Sequence, residues 1–142
     1  MNLTYDMMKK LRSVGFEFKQ FEHMCSPGMT FFHDGCEYTV GGAWDGSECT
    51  AIAQKIASEG IWLPDEGDLA RWLELTDHKM EIRYEDFYYY GKVTDSLGNA
   101  FEGSGPDLLC CLYKMIYKIC RKANGTVKPE SILVLDVIEN AN

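Results

Sequence analysis

The clearest pattern of apolar and polar positions lies in the second half of the chain. Apolar residues recur at helical spacing in Asp65–Thr76 and again in Leu108–Ile119. Alternating or β-branched and aromatic residues predict three strands between these helices: Met80–Tyr84, Phe87–Thr94 and Ala100–Glu102. The pattern therefore predicts the order α-β-β-β-α over residues 61–124.

The first half of the chain predicts the same order of elements. One helix is capped by Thr4, and another has Ile52, Ala53 and Ile56 on its core face and ends near Gly60. The three strands predicted between these helices are Phe16–Lys19, Thr30–His33 and Cys36–Val40. The predicted fold is α+β, with two similar α-β-β-β-α units, residues 1–60 and 61–124, whose antiparallel meanders pack against helices.

A short repeat also indicates two related units. The pattern Gly, any residue, Ala, aromatic, acid, Gly, Ser begins at Gly41 and again at Gly98, each time ahead of a helix. We interpret its glycines as turn residues. Ser47 is predicted to cap the helix of the first unit, and Ser104 is predicted to form a capping box with Asp107 in the second.

The tail, residues 125–142, contains the apolar run Ile132–Ile138. This run is apolar on both faces of a pleated strand, unlike an ordinary edge strand. Two interpretations stay open. The run is buried in the core of its own chain, or it pairs with a second copy and makes the protein a homodimer.

Composition limits the classes of partner. The 142 residues are 46% hydrophobic, which is enough for a packed core, and their net charge is −8. Nucleic acid is therefore not expected as a partner, because phosphate contacts need basic patches. No membrane partner is expected either, since no apolar run approaches the ~20 residues of a membrane span. The N-terminus does not resemble a signal peptide, so we predict a cytoplasmic protein with six reduced cysteines.

Candidate metal and catalytic residues are few. His23, Cys25, His33 and Cys36 are all zinc-ligand types, but their spacing matches no common zinc module, and surface histidines beside scattered thiols explain them as well. Cys49 lies at a predicted helix start without an evident histidine base. Neither Gly-x-Ser-x-Gly nor a Walker-type loop occurs. The sequence therefore predicts a protein that is not an enzyme and has no cofactor.

Candidate binding residues come from two regions of the second half. In the aromatic strand, Tyr88 and Tyr90 are predicted to share one face, and exposed tyrosines are good interface anchors. The last helix has a basic stripe in an otherwise acidic chain, with tyrosines beside it. The predicted binding residues are Arg83, Tyr88, Tyr90, Lys92, Tyr113, Lys114, Tyr117, Lys118 and Arg121.

Two families share parts of this pattern. Phe101–Gly105 loosely resembles the approach to the last helix of double-stranded-RNA-binding domains, but Pro106–Leu109 lacks the lysines with which that family binds RNA. Residues 61–103 resemble small phage and prophage proteins with a helix-sheet-helix ("phage ABA sandwich") domain and, more distantly, HicB-type antitoxins. The matching segments are Ile61–Pro64 through Trp72–Leu73, then Tyr89–Val93 and Ala100–Gly103. This resemblance implies a role without catalysis.

Two functions are predicted from these observations. The first is a phage or mobile-element accessory protein that binds and inhibits a host protein, for example a defence effector or nuclease. The alternative is a small-ligand binder that sequesters an anionic, nucleotide-like molecule between the tyrosines and the basic side chains. A metal- or thiol-dependent enzyme is the third and least supported hypothesis.

Overall fold

The computed structural model describes residues 1–41, 50–124 and 127. The helices of these residues are α1 (Tyr5–Ser13), α2 (Lys19–Glu22), α3 (Ala51–Glu59), α4 (Glu66–Leu75) and α5 (Leu108–Ala123). Their strands are β1 (Thr30–His33), β2 (Cys36–Thr39), β3 (Ile61–Trp62), β4 (Lys79–Glu85), β5 (Tyr88–Thr94) and β6 (Ala100–Gly105).

The predicted α+β class is confirmed. The described strands form two three-stranded antiparallel sheets, ordered β2-β1-β3 and β4-β5-β6, with helices packed against them. The second sheet is a meander between α4 and α5, as the pattern of the second half predicted. We refer to β4-β5-β6 as the second sheet.

The first sheet differs from the prediction in its third strand. Phe16–Lys19 is not a strand: Phe16 and Phe18 are both buried, and Phe18 immediately precedes α2. The third strand is β3, which follows α3 and pairs with β1. Alternating phenylalanines produced the error, because a loop that sends every second ring into the core has the period of a strand. The Glu17 carbonyl accepts a hydrogen bond from the Trp72 indole, at 3.0 Å, rather than from a neighbouring strand.

The buried side chains of both predicted units pack in one cluster. Phe16 and Trp72 lie with ring centroids 5.3 Å apart, and Phe31 is paired with Trp62. These contacts cross residue 60, where the boundary between units was predicted. That boundary, like the one at residue 124, stays a prediction.

Helix α5 approaches the second sheet very closely. A Cβ on Gly103 would lie 2.7 Å from the Cys111 carbonyl oxygen, and one on Gly91 would lie 2.7 Å from the Cys111 sulfur. The interpretation of Gly103 as a turn residue is therefore wrong, since it lies in β6 under the helix. Ser104 also lies in β6 and does not cap α5. Asp107 does, by accepting a 2.7 Å hydrogen bond from the Cys110 amide.

One further local prediction is wrong in part. Ile52 is 74% exposed and does not belong to the core face of α3, whereas Ala53 and Ile56 pack against the core as predicted, beside the buried Ala57. Thr50 caps that helix by accepting from the Ala53 amide at 3.1 Å. The predicted cap Ser47, the copy of the repeat that begins at Gly41 and the apolar run of the tail lie outside the described residues. Among the helices that are described, none combines the length and the hydropathy that a membrane crossing requires.

Candidate functional site

The face of the second sheet that points away from α5 brings several predicted binding residues together. Cross-strand pairing places Arg83 opposite Tyr90 and Glu81 opposite Lys92. Because successive strand residues point to opposite faces, these four share one face, while Val93 is buried on the other, beside α5. We call this exposed face, away from α5, the outer face.

The outer face forms an open concavity of about 780 Å³. The side of this concavity next to β6 is lined by two lysines of α5. The Lys114 ammonium donates to the Ser104 carbonyl at 2.8 Å, and the Lys118 ammonium donates to the Glu102 carbonyl at 2.6 Å. An ammonium group has three donors, so each lysine retains others for a ligand.

The concavity is more positive than the rest of the chain. Its cations are Arg83, Lys92, Lys114 and Lys118. They are accompanied by the carboxylates of Glu81 and Glu102. Cations therefore outnumber carboxylates here, whereas the whole chain has a net charge of −8. The sequence analysis did not select the glutamates or Ser104, although the pairing of alternating strands predicts their position once the register is known.

Arg83 contacts both an aromatic ring and a carboxylate. Its guanidinium lies 4.8 Å from the ring centroid of Tyr90, within cation-π range, and 3.4 Å from the Glu85 carboxylate. The ring of Tyr88 lies 5.5 Å from that of Tyr90 on the same face. Tyr88, Tyr90 and Arg83 therefore form a continuous surface that leads from the concavity towards the β4–β5 turn.

The β4–β5 turn has an unusual residue at its tip. Asp86 and Phe87 both have positive φ angles, of 53° and 62°, and Phe87 is 86% exposed. The predicted strands Met80–Tyr84 and Phe87–Thr94 left Glu85-Asp86 as the turn between them and put Phe87 in a strand. The structure places the turn one residue later, at Asp86-Phe87, because Glu85 pairs with Tyr88. A bulky residue in the left-handed region is an outlier that indicates either strain or function.

The other predicted binding residues lie elsewhere. Tyr113 and Tyr117, with ring centroids 6.4 Å apart, line a separate hollow of about 320 Å³ beside Lys10 of α1. Burial raises the pKa of the Tyr113 hydroxyl above its ordinary value. Arg121 is exposed and lines neither hollow. Lys114 and Lys118 line both, so they connect the two surfaces.

The four candidate zinc ligands are not brought together as one group. The His23 ring bonds to the Ala57 carbonyl at 3.2 Å, and the His33 ring pairs with Glu59 at 3.1 Å. Cys36 is exposed and lies opposite His33, while Cys25 is half-buried. In the part of the chain that the structure describes, His, Cys, Asp and Glu side chains form no group of three or more that could hold a metal ion.

A polar cluster around His78, which the sequence analysis did not identify, lies near the start of β4. Burial lowers the pKa of His78, against the opposing charge of Asp95. The His78 Nδ1 lies 2.9 Å from the Thr76 hydroxyl, whose hydrogen is donated to the Trp72 carbonyl at 2.8 Å. With that hydrogen on the carbonyl, the hydroxyl oxygen accepts from the His78 ring. The Trp72 carbonyl, the Thr76 hydroxyl and the His78 ring thus form one hydrogen-bonded network.

Burial disfavours the nucleophilic form of the two buried thiols. Burial raises the pKa of Cys111, and it raises that of Cys120 to about 12. A thiol with so high a pKa is protonated at neutral pH, and the thiolate is the nucleophilic form. Cys49 lies outside the described residues.

Comparisons with known proteins do not assign this chain to a family. No protein-family model matches it, and no curated protein or solved structure matches it either. The resemblance to phage ABA sandwich proteins and HicB-type antitoxins therefore stays a prediction. The function must be argued from the geometry of the outer face and the turn beside it.

Proposed function

We propose that the protein acts by binding another protein, not by catalysis, through the β4–β5 turn and the adjoining outer face. The observation that supports this proposal most directly is the conformation of Phe87. A non-glycine residue in the left-handed region costs about 1–2 kcal/mol. Phe87 is 86% exposed, so burial within the chain does not offset that cost.

Glycine at position 87 would form the same turn at a lower conformational free-energy cost. Turns of two residues with positive φ favour Asn-Gly or Asp-Gly, and glycine at position 87 would keep Asp86 in place. Phenylalanine at the tip weakens the isolated turn and presents an apolar ring to solvent. A partner that covers this ring on binding gives the residue a role that the fold alone does not.

The surroundings of Phe87 fit a protein surface. Tyrosine and arginine are enriched among the residues that dominate binding energy, and Tyr88, Tyr90 and Arg83 lie next to the turn. The concavity is open, whereas small-ligand sites enclose most of the ligand surface. Its excess of cations favours a partner that presents carboxylates around an apolar pocket for Phe87.

The resemblance stated from the sequence extends this proposal. In it the protein is a phage or mobile-element accessory protein of the host cytoplasm, and the partner is a host protein, such as a defence effector or nuclease, that it inhibits. The geometry supports the binding surface, and the identity of the partner rests on the resemblance.

Substitutions in the turn separate binding from folding. Phe87→Gly removes the ring and relieves the strained φ, so the variant is expected to be at least as stable as the wild type and to lose its partner. Asp86→Asn is the matched control, because asparagine tolerates the left-handed region and Phe87 is kept. Immobilised wild type and both variants are exposed to host lysate, and retained proteins are identified by mass spectrometry. A protein retained by the wild type and the control but not by Phe87→Gly supports the proposal; equal retention by all three contradicts it.

The stacking of Arg83 on Tyr90 favours the small anionic ligand as a second candidate function. A planar anion could lie on Tyr90 and accept hydrogen bonds from Arg83 and Lys92. A nucleotide panel tested by thermal shift distinguishes this function from the first. Stabilisation that is lost in Lys92→Gln but kept in the exposed-lysine control Lys55→Gln supports a ligand site on the outer face, and no response to any nucleotide contradicts it.

A further inference from the structure

The two outer strands of the second sheet have different edges. At β6, Lys114 and Lys118 of α5 donate to the Ser104 and Glu102 carbonyls. Strand β6 pairs with β5 along one edge, and these lysines bind carbonyls on its other edge. Strand β4 pairs with β5 on one side and, among the described residues, has no strand on the other. All seven residues of β4 are exposed.

The register identifies the backbone groups of β4 that face outward. Glu85 and Tyr88 flank a two-residue turn and therefore form a hydrogen-bonded pair. Hydrogen-bonded and non-hydrogen-bonded pairs alternate along an antiparallel ladder. Met80, Ile82 and Tyr84 consequently direct their N–H and C=O groups away from β5, to the open edge.

The same three residues expose apolar side chains. Met80 is 39%, Ile82 38% and Tyr84 57% exposed. They lie on the face on which α5 packs, but α5 packs against β5 and β6. An edge with unpaired backbone groups and exposed apolar side chains is a template for strand pairing.

The charged residues of β4 determine which strand fits this edge. On the outer face they follow the order Lys79, Glu81, Arg83, Glu85. We propose that β4 pairs antiparallel with β4 of a second copy of this chain, about a two-fold axis through Ile82. Each Lys79 then lies opposite Glu85 of the second copy, and each Glu81 lies opposite Arg83 of the second copy.

The backbone and the apolar residues fit the same axis. Met80 lies opposite Tyr84 of the second copy, and Ile82 lies opposite Ile82. These are the residues whose N–H and C=O groups face outward, so every such pair exchanges hydrogen bonds. The charged residues fall at the non-hydrogen-bonded pairs, where opposing side chains approach most closely.

Neighbouring registers are excluded by charge. An axis through Glu81 places Glu81 opposite Glu81 and Lys79 opposite Arg83. An axis through Arg83 places Arg83 opposite Arg83 and Glu81 opposite Glu85. Like charges directly opposite are destabilising, so only the axis through Ile82 satisfies the whole strand.

Complementary charge variants test this pairing. Glu81→Lys with Glu85→Lys makes β4 wholly basic, and Lys79→Glu with Arg83→Glu makes it wholly acidic. Each variant alone is expected to dimerise at least about tenfold more weakly than the wild type, and their equimolar mixture is expected to form a heterodimer. Masses are measured by light scattering and native mass spectrometry over about a hundredfold range of concentration. Circular dichroism verifies that each variant is folded.

Two further variants complete the test. Glu37→Lys with Glu59→Lys makes the same change of net charge as the basic variant, at exposed positions of β2 and α3, and its dimer is expected to persist. Ile82→Pro removes an N–H that faces the open edge, not one that bonds to β5, so it is expected to give a folded monomer. A wild type that is monomeric at every concentration would overturn the proposal. A dimer that survives both charge variants alone but is lost in Leu135→Asp would also overturn it, by assigning association to the apolar run of the tail.

Discussion

Gly91 and Gly103 lie opposite each other on β5 and β6, beneath Met115 of α5. A Cβ on either glycine would come within 2.9 Å of a Met115 side-chain atom. The absence of side chains at this pair of positions lets α5, the longest of the described helices, rest directly on the sheet. Because α5 packs on this face of the sheet, it does not cover the outer face.

Gly103→Ala tests this close packing. The new methyl would lie 2.7 Å from the Cys111 carbonyl oxygen, a backbone atom that cannot rotate away. We expect the free energy of unfolding to fall by about 1–3 kcal/mol, as in other overpacked cores. Urea denaturation measures the change. Gly67→Ala is the control, because its nearest contact is a side-chain oxygen at 3.4 Å, and we expect no loss there. Equal effects at both glycines would contradict the argument.

Asp68→Asn is expected to stabilise the protein at neutral pH. Burial and the neighbouring Asp65 raise the pKa of Asp68 to about 6. Because this pKa is above the unfolded value, the stabilising contribution is present below about pH 4 and is lost as the pH rises through 6. In the wild type the Asp65 amide donates to the Asp68 carboxylate at 3.0 Å. Asparagine at position 68 removes the charge and can still accept this hydrogen bond through its side-chain carbonyl. After allowance for solvent screening of this half-buried group, we expect a gain of about 1 kcal/mol.

Urea denaturation at two pH values checks this prediction. The gain from Asp68→Asn should be present at about pH 7.5 and much smaller at about pH 4.5, where the carboxyl of the folded wild type is protonated. Glu74→Gln, at an exposed position of the same helix, should change neither value. A gain that persists unchanged at the lower pH would show that charge is not its cause.

His78 is expected to make the fold less stable in mild acid. Burial lowers its pKa below the ordinary 6.5, so the unfolded chain takes up a proton more readily than the folded one. Stability from this group is complete above pH 6.5 and falls as the pH drops through the folded-state pKa. Thermal unfolding at about pH 7.5 and 5.5 should show a smaller acid-induced loss in His78→Asn than in the wild type. His33→Asn, which changes a histidine paired with exposed Glu59, should retain the wild-type loss; no difference between the two variants would exclude the role of His78.

The sequence predicted the second sheet well because its evidence was local. Alternation in Met80–Tyr84 gave the strand and its faces, but alternation does not reveal whether a face is covered. Met80, Ile82 and Tyr84 share the face of the packed helix and still remain exposed, because α5 packs on β5 and β6. Phe16 and Phe18 show the opposite case, in which buried alternate rings belong to a loop.

The candidate site was predicted in part for similar reasons. Arg83, Tyr90 and Lys92 come together because β4 and β5 are joined by a short turn, so sequence distance and spatial distance agree. The last helix distributes its residues around an axis, and Tyr113 and Tyr117 consequently face a different hollow from the concavity. Phe87 was missed as a tip residue because its conformation violates local preference, and no rule of propensity places phenylalanine at positive φ.

The lysines at the β6 edge have a consequence for stoichiometry. Lys114 and Lys118 occupy carbonyls on one edge of the second sheet, and self-pairing through Ile82 would use the other edge in both copies. A sheet that can grow in one direction only is complete after a single pairing. The same helix that covers the core would thus also limit assembly through this sheet to two chains, where a sheet open on both sides could extend into a filament.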